Sequence, residues 1–68
     1  MKTLSAILIK ENDMFIAKCP EVGTVSQGTT VEEAVENLKE ATELYLEEFH
    51  PEILSRALFT TFDVESVA

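Results

Sequence analysis

Residues 20–49 read "PEVGTVSQGTTVEEAVENLKEATELYLEEF", and the parsing of this stretch decides the fold. Gly23, four residues, Gly28 and then Thr29-Thr30 come close to a phosphate-binding loop that opens into a helix. The match fails where its chemistry resides. The full motif, G-x-x-x-x-G-K-[ST], uses its Lys to reach the terminal phosphates, and Thr29 stands in that position. Glu32 and Glu33 follow as the second and third helical residues, so two carboxylates already sit at the positive end of the helix dipole. The stretch reads better as strand, turn, cap and helix. Gly23 and Gly28 are turn positions, and Thr30 with Glu33 forms a capping box: the hydroxyl accepts from the amide three residues on, and the Glu reaches back.

The helix that follows has one clear apolar side. At about 100° per residue, Val31, Ala34, Val35, Leu38, Ala41, Thr42, Tyr45, Leu46 and Phe49 fall within one arc, and only Leu44 lies outside it. The pattern predicts a helix over residues 31–49, about 28 Å long at 1.5 Å per residue. Pro51 stops it, because proline disfavours a helical conformation in the residue before it.

Working outward, "TLSAILIK" (3–10) reads as a strand with Leu4, Ala6 and Leu8 on one face and Ser5, Ile7 and Ile9 on the other. Apolar residues on both faces mark it as central. Asn12 and Asp13 form a turn, and "MFIAKC" (14–19) returns as a second strand, ended by Pro20. "TVSQ" (24–27) makes a short third strand. Beyond the helix, "PEILSRA" suggests a further helical turn, and "LFTTFDVE" (58–65) alternates as a fourth strand, with Leu58, Thr60, Phe62 and Val64 on one face. The order is β-β-β-α-β. A right-handed crossover lays the fourth strand parallel to the first. The expectation is therefore one α+β domain: a mixed four-stranded sheet of order 3-2-1-4 with the helix on one face.

A chain of 68 residues buries only about 60% of the surface its unfolded form exposes. One Cys and one His exclude an intrachain disulfide and are too few for a zinc cluster. Association, as a dimer or higher homo-oligomer, is the expected support. The net charge of −8, from 13 acidic and 5 basic residues, disfavours nucleic acid as a partner and suits a basic protein. "LSAILI" lacks the features of a signal peptide and is far shorter than a membrane span, so a cytoplasmic location and no membrane partner are expected.

A catalytic search finds little. Cys19 as nucleophile would need His50 as base, and nothing in the spacing joins them; a lone Cys at a strand end is more often a small buried hydrophobe. No catalytic, cofactor-binding or metal-binding residue is expected, and no enzymatic activity. The polar side of the helix is more telling. It carries Glu32, Glu33, Glu36, Glu40, Glu43 and Glu47, with Lys39 as the helix's one base. Glu32–Glu36, Glu36–Glu40 and Glu43–Glu47 are like-charge i,i+4 pairs, each costing about a few tenths of a kcal/mol. This face is either plain solvated surface or a surface shaped for a basic partner. The sheet face away from the helix, with Ile7, Ile9 and either Phe15 or Phe59, lacks a cover within the chain and is the expected oligomer interface.

"FIAKCPEVGTVSQGTTVEEAVENLKEATELYLEE" resembles the core of the HicB-type antitoxin family. In that family a hairpin strand leads to a C-P-E-L/V-G-like turn, then S-Q-G, a T-x-E-E-A helix start and an N-x-K-E-A-x-E-L-Y-L-E helix. The likeness covers roughly residues 4–49, and "LFTTFDVE" resembles the closing strand less specifically. The resemblance implies a partial RNase H-like β-β-β-α-β fold. It also implies a function: binding and neutralising a small basic mRNA-cleaving toxin of the HicA type by masking its RNA-binding surface, with no chemistry in the antitoxin itself. Met14 departs from the Gly or Trp common after the turn. Many members append a DNA-binding domain, for which a chain ending at Ala68 leaves no room, so direct transcriptional autoregulation is not expected. The resemblance does not assign the toxin-binding residues; Glu36, Glu40, Glu43 and Glu47 are chosen here for charge complementarity. The rival readings are a stand-alone homo-oligomeric module and a small-ligand-binding domain.

Overall fold

A computed structural model describes residues 3–50 and 57–65. Three antiparallel strands, β1 (Ile7–Glu11), β2 (Met14–Lys18) and β3 (Val25–Gly28), form a sheet of order β1-β2-β3, and one helix, α1 (Val31–Glu48), follows. The fold is α+β with the helix against one sheet face.

The β1–β2 hairpin closes over two residues, with Glu11 opposite Met14. Asn12 takes φ of 55°, a left-handed conformation that a short amide side chain tolerates. Pairing of Leu8 with Ala17, Lys10 with Phe15, Ser26 with Ala17 and Gly28 with Phe15 sets one face of the sheet. That face meets α1, because directly opposed residues project to the same side. Ile7, Ile9, Ile16 and Val25 take the other side. The "CPEVGT" turn is closed by the Gly23 amide donating to the Cys19 carbonyl (2.7 Å) and the Cys19 amide donating to the Thr24 carbonyl (2.9 Å). Gly23, at φ 96°, supplies the conformation that other residues rarely adopt.

Helix α1 begins as expected. Thr30 is extended, and its hydroxyl accepts from the Glu33 amide at 3.0 Å. Glu33 reaches back one residue further than a capping box requires, accepting from the Thr29 amide (2.6 Å) and hydroxyl (3.1 Å).

The core consists of Ala17, Cys19, Ala34 and Leu38, with Leu4, Phe15 and Val22 packed around it. These are mostly small residues, and they let α1 sit close. A Cβ on Gly28 would stand 2.6 Å from the Ala34 nitrogen and 2.9 Å from both the Glu33 carbonyl carbon and Cβ. Gly28 is therefore a close-approach residue at the end of β3, not the turn position expected for it. Buried Thr42 bonds Thr24 hydroxyl to hydroxyl at 2.6 Å, and the Asn37 amide donates to the Gln27 carbonyl at 2.9 Å. Both ties join α1 to the β3 side, so the helix packs chiefly on β3 and secondarily on β2.

Three expectations are corrected. Residues 57–65 take no strand, so the described sheet has three strands, not four in the order 3-2-1-4. The alternation is present, but a strand also needs a ladder partner and a cover, and α1 lies over the far side of the sheet from β1. Phe15 belongs to the helix-facing side, packed against the core cluster, because it shares a face with small, buried Ala17. Phe59 lies outside the sheet and is 56% exposed. The expected helical turn at 51–56 falls outside the described residues.

Candidate partner-binding surfaces

The four glutamates singled out by sequence lie together. Glu36, Glu40, Glu43 and Glu47 are all exposed and, at about 100° per residue, share a narrow arc. That arc is opposite the one through buried Ala34, Leu38 and Thr42. The last turn of α1 holds no basic residue, so the negative end of the helix dipole is left uncompensated. Glu40, Glu43 and Glu47, with Leu44, Leu46 and His50, border a shallow depression. The surface is a row of carboxylates with an apolar edge, a chemistry that suits lysine and arginine side chains and their alkyl stems.

The start of the helix is differently occupied. Glu33 places its own carboxylate on the Thr29 amide and hydroxyl, the position that an incoming phosphate would need. Cys19 is buried at the end of β2, with Sγ 3.5 Å from Glu21 Oε1. His50 is exposed just beyond the helix C-cap. The structure places the two in separate surroundings.

A second surface is apolar. Ile9 and Val25, 41% and 54% exposed, lie with Ile7 and Ile16 on the sheet face away from α1. Of the four residues expected to form an oligomer interface, only Ile7 and Ile9 share this face. A groove of about 430 Å³ runs between the chain leading into β1 and the helix, lined by Leu4, Ala6, Val35, Leu38 and Leu46 among others.

Sequence reading missed Glu21. Its carboxylate accepts the Ser5 amide at Oε1 (2.9 Å) and the Ala57 amide at Oε2 (2.8 Å). It thus gathers the lead-in to β1, the β2–β3 turn and the start of the 57–65 segment at one point. Partial desolvation pushes this carboxyl up, but the Ser5 and Ala57 amides, with the Ser5 hydroxyl and its own amide, outweigh it and hold the pKa at about 2. Only its place in the "CPEVG" turn pointed to it; partners so distant in sequence leave no local pattern.

Among the described residues, no helix is long and apolar enough to cross a membrane. In comparisons with known proteins, the chain is similar to a UPF0150 protein of Helicobacter pylori strain J99, 46% identical over 44 residues. The match spans 63% of this chain and 61% of that relative. No family model matches the chain, and no solved structure matches it.

Proposed function

We propose that this protein is an antitoxin-like cover of the HicB type, a cytoplasmic protein without catalytic activity that neutralises a small basic mRNA-cleaving toxin by occluding its RNA-binding surface. The observation that carries the reading is the row of Glu36, Glu40, Glu43 and Glu47 on the solvent side of α1. Those carboxylates cost the helix stability through like-charge spacing, and a basic partner gives that cost a use. Likeness to a UPF0150 protein, a HicB-like family, supports the reading, as does the resemblance of residues 4–49 to the HicB core.

Charge complementarity of this kind acts on association rate and specificity more than on affinity. The test is capture of the product of the neighbouring gene, followed by stopped-flow binding to it. Changing Glu36, Glu40, Glu43 and Glu47 to Gln lowers the association rate by about tenfold or more at low ionic strength and flattens its salt dependence. A rate unchanged by the four substitutions assigns the toxin contact to another surface and removes the helix face from the mechanism.

A further inference from the structure

Glu21 holds together two segments that are far apart in sequence. Its Oε1 accepts the Ser5 amide at 2.9 Å, and its Oε2 accepts the Ala57 amide at 2.8 Å. Ser5 also belongs to the wall of the groove, with Leu4, Ala6, Val35, Leu38 and Leu46. Residues 57–65 therefore start at the lip of that groove. Beyond the pinned amide the segment is apolar and unseated: Leu58, Phe62 and Val64 are 92%, 84% and 78% exposed. In extended backbone these three share one face. Leu58 to Val64 reaches about 20 Å, and the helix wall from Val35 to Leu46 is about 16 Å long. An apolar strip, an apolar groove and a hinge at their common end are the parts of a strap.

We infer that residues 58–65 close over the groove of their own chain, turning about the bond between Ala57 and Glu21, and that the structure shows the open position. The hinge selects the occupant. A segment tethered this closely meets the groove at an effective concentration of about millimolar, which a second chain in dilute solution does not match. Two chains of net charge −8 also repel each other. Closure keeps Leu58 next to the hinge and carries Phe62 about 13 Å further along the groove.

The closed strap is an autoinhibitory contact: an apolar molecule enters the groove only when the strap lifts. Of the acidic row, Glu43 alone borders this groove, so the device does not depend on a basic partner, and the two proposals fail separately. The strap is held by one hinge bond and a few side-chain contacts. It therefore opens well below the temperature at which helix and sheet melt.

The experiment records NOE spectra of the full chain at low temperature and at several concentrations. The expected result is NOEs from the Phe62 ring to the methyls of Val35 and Leu46, unchanged by dilution. Nile red, a neutral apolar dye, reports access to the groove. Leu58→Asp with Phe62→Asp raises its binding about threefold or more, because its apparent affinity scales with the open fraction. Both side chains are exposed, so the far-ultraviolet dichroism of the helix is kept. Glu21→Gln leaves one amide without its acceptor, and it weakens the NOEs and raises dye binding in the same direction. Four results overturn the inference: no NOE from Phe62 to the groove, NOEs between chains only, ladder bonds between residues 58–65 and β1, or dye binding indifferent to the two aspartates.

Discussion

The two sides of this sheet have been furnished in opposite ways. Where α1 meets β3, the buried residues are mostly small: Ala17, Cys19, Ala34 and a glycine with no room for a Cβ, around one larger side chain, Leu38. Toward β1 and residues 58–65 the residues are large, and Leu8, Ile9, Leu58, Phe62 and Val64 remain in solvent. Small residues allow close approach but little apolar burial per side chain; large ones bury much area once they find a cover. One side is therefore complete within the chain, and the other leaves large apolar side chains exposed.

That contrast can be broken most directly by truncating one residue from each side. Leu38→Ala, at a site 4% exposed, costs about 2–5 kcal/mol, enough to unfold a domain of this size in a thermal melt. Phe62→Ala, at a site 84% exposed, leaves the melt within about 0.5 kcal/mol of the parent. Equal losses would mean that the two sides do not differ.

Gly28→Ala sharpens the same contrast from within the tight side. The added methyl meets backbone atoms of Glu33 and Ala34 at 2.6–2.9 Å, and backbone yields less than a flexible side chain. The expected cost is about 1–3 kcal/mol, read as a lower urea midpoint. An unchanged midpoint would show that the helix can lift from β3 freely.

The smallest effect lies at the junction of the two sides and is confined to acid. Glu21 has its folded pKa lowered from 4.5 to about 2. Its contribution is therefore fully present above about pH 4.5 and is lost as pH falls toward 2. Glu21→Gln melts a few degrees lower at neutral pH, and the gap to the parent narrows steadily between pH 4.5 and 2. A gap that stays constant through this window would mean that the carboxylate charge does not matter to the clasp.

The complete side was the more legible in sequence. The periodicity from Val31 onward, the Thr30 cap and the Asn12-Asp13 turn are local signals, and local signals survive in a linear reading. The helix, the hairpin and the row Glu36, Glu40, Glu43 and Glu47 follow from them. Four features did not. Gly28 looked like a turn residue because its constraint is a helix seated above it, not its own φ. Phe15 could be matched in parity to Ala17 and Cys19, but which parity faces α1 is a tertiary choice. Residues 58–65 alternate as a strand should, yet pairing is a relation between two segments, and only one of them is visible in the pattern. Glu21 is the extreme case, with partners 16 and 36 residues away.

The absence of a side chain at residue 28 has one more consequence. With backbone resting on backbone, α1 and β3 move as a single body, and the joint offers no rotamer through which the helix could tilt to suit a visitor. The backbone positions of Glu36, Glu40, Glu43 and Glu47 are thus fixed along about 16 Å of helix, while their exposed side chains keep their rotamer freedom. The fold therefore sets the spacing of this row along the helix and leaves the direction of each carboxylate adjustable.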